Sequence, residues 1–154
     1  MKIREDILIP VRPADIWEAI ADPSLWPLWN PKVKSIDRRQ VGPMIAGEHF
    51  KAVFVLSGRE SNTDVEVLLN EPPHRVTFRQ HYEFGRRMRS VTLTFELQTR
   101  PTGIRFLQTT DLAAAGIPWF FRVLIFFVTR FGRSMGQCQF EKLKELVVAR
   151  SASA

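Results

Sequence analysis

The feature that most constrains this chain is a change of hydrophobic period partway along it. Between Lys32 and Thr110 six segments, 32–39, 48–56, 63–69, 75–82, 88–97 and 104–110, carry strand patterns separated by glycine, proline, asparagine or charged turns. No helix-length spacer lies among them, so each strand returns beside its predecessor and the pairing is antiparallel. Alternation is sharpest where Val91, Leu93, Phe95 and Leu97 oppose Ser90, Thr92, Thr94 and Glu96, a pattern that gives the sheet one apolar and one wetter face. By the same rule Val76, Phe78, Gln80 and Tyr82 share a face of one strand, and Ile104, Phe106, Gln108 and Thr110 share a face of another. The segment Lys2 to Ile9 supplies a seventh strand.

After Gly116 and Pro118 the period becomes helical, and one long helix is predicted over about 119–148, reaching roughly 45 Å at 1.5 Å per residue. Phe120, Leu124, Phe127, Phe131, Met135 and Cys138 lie on one side of it. Phe140, Leu143 and Val147 lie on another, so the stripe changes phase near Gly136, where a kink or a new packing partner is expected. Phe121, Ile125 and Phe126 leave little polar surface in the first half; cover by the domain and, in part, by a second subunit is expected, with a covering loop or peripheral membrane contact as the alternatives. Near the N-terminus a short helix is predicted at 14–21, with Pro13 in its first turn and Ile16, Ala19 and Ile20 inward, before a compact aromatic turn at 26–31.

At 154 residues the chain suits one domain, taken as 1–150, with 151–154 as a loose tail. Its single cysteine excludes an intrachain disulfide and fits a reducing, cytoplasmic setting; no signal-peptide pattern opens the sequence. The most apolar stretch, 112–128, is short for a membrane span and contains Pro118 and Arg122. The net charge of +6 includes a cluster of Arg86, Arg87 and Arg89, read as a solvated basic face because no phosphate cradle, zinc-finger spacing or RNA-binding aromatic signature accompanies it, which disfavours nucleic acid as a partner. HExxH, cysteine-pair and dinucleotide patterns are missing, so neither metal nor cofactor is expected. His81 shares its face with Arg75, Thr77 and Arg79 and should point away from Phe78 and Gln80, which favours a structural role over that of a catalytic base.

The stretch from Ile9 to Asp22, followed by Trp26-Pro27-Leu28-Trp29-Asn30-Pro31, resembles the opening of the START-like superfamily, especially its polyketide-cyclase/dehydrase-like bacterial members, also grouped as SRPBCC proteins. The resemblance implies an α+β helix-grip fold: a curved antiparallel sheet of about seven strands around a long C-terminal helix, with two short helices after strand 1. It also implies a hydrophobic ligand cavity, with Trp26, Trp29 and Asn30 matching the aromatic segment and 119–138 matching the cavity-facing part of the helix.

A sheet face and a helical stripe can also simply fill the domain with core, so a solid interior stands as the alternative to a pocket. In the pocket reading the ligand-binding residues are Trp29, Phe78, Gln80, Tyr82, Phe106, Gln108, Thr110, Phe120, Leu124, Phe127 and Phe131, the aromatic ones as wall and the polar ones orienting a carbonyl or hydroxyl. The function expected is binding or transport of a small hydrophobic, aromatic or lipid-like molecule. The alternative is a cofactor-independent polyketide cyclase or dehydratase in which Tyr82, Gln80 or Gln108 polarises a carbonyl; no residue stands out as its general base.

Overall fold

Proline punctuation sets the first turn of the fold. β1 (Lys2–Ile9) stops at Pro10, and Pro13 starts α1 (Pro13–Ala21), where its missing N–H costs nothing. A 3₁₀ turn at Pro23–Leu25, capped by the Asp22 carboxylate on Ser24 N, leads into α2 (Trp26–Trp29). The aromatic turn expected at 26–31 is therefore partly helical, giving the two short helices implied by the resemblance. The computed structural model describes residues 1–56, 58–131 and 137–153.

Six further strands follow: β2 (Val33–Asp37), β3 (His49–Leu56), β4 (Arg59–Glu71), β5 (Arg75–Phe84), β6 (Arg87–Arg100) and β7 (Gly103–Asp111). They form one antiparallel sheet in the order β1-β7-β6-β5-β4-β3-β2, so every sequential neighbour pairs except β1, which closes against β7. Strand lengthening accounts for most boundary differences: hairpin residues at 59–62 and 98–100 continue the ladders although they break apolar alternation. Gly103 fixes the β6–β7 turn, since at φ +144° a Cβ there would stand 2.6 Å from the Ile9 carbonyl oxygen.

Register aligns the inner face into rows. Phe106 lies opposite Leu97 and Ile7, Gln108 opposite Phe95, Phe78 opposite Leu93 and Val67, and Tyr82 opposite Thr63 and Arg89. Aromatic rings link the rows in edge or tilted contacts: Trp26–Phe78 at 5.0 Å, Phe78–Phe95 at 5.2 Å, Phe95–Phe106 at 5.4 Å and Phe106–Phe140 at 5.3 Å. The last step crosses from sheet to helix.

The C-terminal helical region comprises α3 (Trp119–Phe131) and α4 (Gln137–Ser153). Phe140, Leu143 and Val147 of α4 are buried, and this helix packs against α1, α2 and β1. The second of the two predicted stripes is therefore the one that meets the core; the kink expected at Gly136 lies outside the described residues. Ser151–Ser153 extend α4, with Ser153 Oγ donating to Ala149 O at 2.9 Å, so the loose tail expected at 151–154 is corrected for these three residues; Ala154 lies outside the described residues.

Arg38 ties the β2–β3 connection to the body. Its buried guanidinium donates to both carboxylate oxygens of Glu48, at 2.9 Å from Nη2 to Oε2, and to the carbonyls of Gly42 and Pro43, with Asp22 Oδ1 at 3.7 Å. This array orders a polar connection that contributes one apolar anchor, Met44, to the core.

Candidate ligand-binding site

Two indoles are held by the end of α1. Trp26 Nε1 donates to Ile20 O at 2.9 Å and Trp29 Nε1 to Ala19 O at 3.0 Å, so each ring spends its only polar group on a helix carbonyl and turns its apolar surface toward the sheet. Between these indoles and the inner face of β4–β7 lies a cavity of about 300 Å³. Phe78, Leu93 and Phe95 provide apolar wall, and the partly exposed Asn30, Lys32, Tyr82, Val91 and Leu112 stand at its rim.

The polar groups converge at one end. Gln139 Nε2 donates to Gln108 Oε1 and Gln108 Nε2 donates to Thr110 Oγ1, both at 3.4 Å, making a helix-to-sheet chain of two amides and a hydroxyl, all three residues lining the cavity. Gln80 and Thr63 add an amide and a hydroxyl from β5 and β4. Burial pushes the Tyr82 phenol above its ordinary pKa, opposed by the positive charge of Arg89 on the neighbouring strand. The phenol is consequently a neutral donor at physiological pH. No carboxylate or histidine is found among the described lining residues.

Of the residues singled out from the sequence, Trp29, Phe78, Gln80, Tyr82, Gln108 and Thr110 line this cavity. Phe106 is fully buried beneath it between Phe95 and Phe140, as core. Phe120, Leu124 and Phe127 require correction as cavity wall: their side chains are more than half exposed, because the sheet face is already met by the Phe140 stripe of α4. The same exposure, from Trp119 to Leu124 and at Phe126 and Phe127, corrects the expectation that the domain covers this helix there; Ile125 is half-buried, and the side chains of 128–130 lie outside the described residues. The side chain of Phe131 lies outside the described residues. His81 faces the opposite side of the sheet, 3.3 Å from Glu66 Oε2.

Sequence reasoning placed Val91, Leu93 and Phe95 on an apolar strand face without taking them as lining, and it missed Lys32, Phe54, Thr63, Leu112 and Gln139 altogether. A signal existed for Gln139, which sits four residues before Leu143 and beside Phe140 on the docking stripe, where a buried amide calls for a partner. Lys32, by contrast, lies in the turn before β2 rather than in the strand expected over 32–39, so alternation gives it no face.

Among curated proteins, none matches the sequence. Solved structures share the fold at low identity. A Chromobacterium violaceum protein has 16% identity and a TM-score of 0.68 over 95% of this chain and 96% of its own. A Mesorhizobium loti protein has 20% identity and a TM-score of 0.66 over 98% of each chain. A Rhodobacter sphaeroides protein has 18% identity and a TM-score of 0.69, covering 96% of this chain and 92% of its own. Such likeness carries the architecture and no activity. Residues 1–148 also match the family described as polyketide cyclase / dehydrase and lipid transport, nearly the whole length over which the sheet, the paired indoles and α4 were just traced. The chain belongs to that family, within the START-like helix-grip superfamily.

Proposed function

We propose that this protein binds a small hydrophobic molecule between the α2 indoles and the sheet. The observation that carries the reading is the cavity itself: about 300 Å³ of space walled by Trp26, Trp29, Phe78 and Phe95 and closed at one end by the Gln139–Gln108–Thr110 amide chain. That volume is at the lower end of ligand pockets, which favours a compact ring system or a short acyl chain over a complete phospholipid. Gln80, Tyr82 and Gln108 supply donors for a carbonyl or hydroxyl, and Lys32 is the one charged group among the described lining residues, so the ligand is neutral or carries its negative end toward the rim.

Native mass spectrometry on protein purified without detergent tests this reading. A retained adduct that disappears in Leu93→Trp, a variant whose indole fills the cavity, supports it; an adduct unchanged by the filling places the ligand elsewhere and overturns it.

The neutral Tyr82 phenol favours a second reading, cyclisation or dehydration of a polyketide-like substrate, in which Tyr82 polarises a carbonyl while the walls fold the chain and exclude water. The family description includes both kinds of activity. Binding is the reading preferred here, because the described lining offers no carboxylate or imidazole to take a proton.

A further inference from the structure

α3 is apolar on almost every side. At about 100° per residue, Trp119, Phe120, Phe121, Val123 and Leu124 point across more than half of the helix circumference. All five are exposed, from 46% at Val123 to 77% at Trp119. A helix with this pattern is stable when protein or lipid surrounds it.

The charge of the surface selects between those two. Between Asp111 and Phe127 the one charged residue is Arg122, which is exposed, and no acidic residue intervenes. The tip of the β5–β6 hairpin, Phe84-Gly85-Arg86-Arg87-Met88-Arg89, repeats the combination, with Phe84 70% and Met88 64% exposed; one carboxylate, Glu83, stands at its edge, across the ladder from Met88. The two features adjoin. Ser90 N donates to Ala114 O at 3.4 Å, and a side chain on Gly116 would overlap the Arg89 guanidinium, three residues before α3 begins. In a two-fold dimer this surface would meet itself, bringing exposed arginines together with Glu83 alone, at the edge of the hairpin tip, to offset them. An anionic bilayer satisfies both properties, taking the apolar side chains at the acyl boundary and the guanidinium groups at the headgroups. No described helix is long and apolar enough to cross, so α3 would lie in the interface.

We propose that α3 and the β5–β6 hairpin tip dock this protein on anionic phospholipid surfaces. The proposal does not require an occupied cavity, but it gives the cavity a source: Tyr82 and Val91, on the rim, lie on the two strands of this hairpin, each two residues from its tip, so the mouth adjoins the proposed docking surface.

Trp119 is a built-in probe, because Trp17, Trp26 and Trp29 are buried. The full chain is mixed with phosphatidylcholine vesicles with and without phosphatidylglycerol, and co-sedimentation and tryptophan emission are recorded. Expected are co-sedimentation with the anionic vesicles alone, weakened by salt, and a blue shift that Trp119→Phe removes. Phe121→Glu with Leu124→Glu should abolish binding while circular dichroism stays unchanged, since both side chains are exposed. Arg86→Ala with Arg87→Ala should weaken binding by about fivefold per arginine, and this pair decides the question if the helix variant fails to fold. Wild-type protein that ignores anionic vesicles overturns the proposal, as does binding indifferent to both variants; a dimer dissociated by the helix variant assigns α3 to a second copy instead. A retained ligand without vesicle binding defeats this inference alone, whereas vesicle binding with an empty cavity defeats only the ligand-binding reading.

Discussion

Gln139 of α4 donates its side-chain amide to Gln108 of β7 at 3.4 Å, and both residues are buried. This contact joins the helix to the sheet where the cavity ends, so its two partners should be coupled energetically. Gln139→Leu leaves the Gln108 oxygen without its protein donor and is expected to cost about 1–2 kcal/mol in urea unfolding. Gln108→Leu combined with Gln139→Leu should cost less than the two single changes added, because neither polar group is then stranded. Strict additivity would mean that the amides do not interact in solution.

The indole anchors make a second, sharper expectation. Trp26→Phe and Trp29→Phe keep an aromatic ring but remove the donors to Ile20 O and Ala19 O, at the end of α1. Each should lower stability by about 1–3 kcal/mol, through the unsatisfied carbonyl and the reduced ring. Trp26→Phe should have the larger effect on a bound ligand, because the Trp26 ring also stacks on Phe78 at 5.0 Å in the cavity wall. Equal stability of wild type and both variants in urea would contradict this account of how α2 is held.

Acid should act through Glu48. Burial by itself would raise its carboxyl, but the Arg38 guanidinium and the Ile45 N–H outweigh that and hold it below the usual carboxylate range. Its folded pKa is therefore depressed, so its contribution is present above the ordinary glutamate value and is lost as pH falls through the folded value. Glu48→Gln should lower stability at neutral pH and flatten the decline on acidification, read as denaturation midpoints across pH. Arg38→Met strands the carboxylate and should cost about 3 kcal/mol at neutral pH. An acid limb of unchanged steepness in Glu48→Gln would assign the effect to other carboxylates.

How far the sequence led differs between sheet and helix for a physical reason. Strand faces follow from a period of two, and that rule placed Phe78, Gln80, Tyr82, Gln108 and Thr110 on the inner face where the structure has them. A helix stripe says that something must be covered but not by what. Two stripes competed for the sheet, and the Phe140-Leu143-Val147 stripe packs on it while Phe120 and Leu124 stay exposed. Arg38 was illegible for another reason: its partners are backbone carbonyls and a glutamate ten residues away in an aperiodic connection. The ring chain from Trp26 to Phe140 depends on register between distant strands, which alternation alone does not set.

The phenol at the rim separates binding from chemistry. Tyr82 stands opposite Thr63 and Arg89 on the inner face, and burial, partly offset by the Arg89 charge, keeps it protonated beyond the ordinary tyrosine range. A raised folded pKa favours the neutral form, so a hydrogen bond donated by Tyr82 persists through neutral pH and is lost only as pH rises toward that elevated value. For a ligand bearing a carbonyl, Tyr82→Phe should weaken affinity by about 1 kcal/mol, roughly fivefold, and remove the alkaline fall in affinity. Thermal stability should change little because the ring is retained. If the protein instead catalyses a cyclisation, the same variant should lose about a hundredfold or more in turnover at matched substrate affinity, since the donor then acts on charge that develops in the transition state. Calorimetry on the purified ligand, repeated across pH with wild type and Tyr82→Phe, distinguishes the two: an affinity loss without a turnover defect identifies a binding donor, and unchanged affinity with collapsed turnover identifies an acid catalyst.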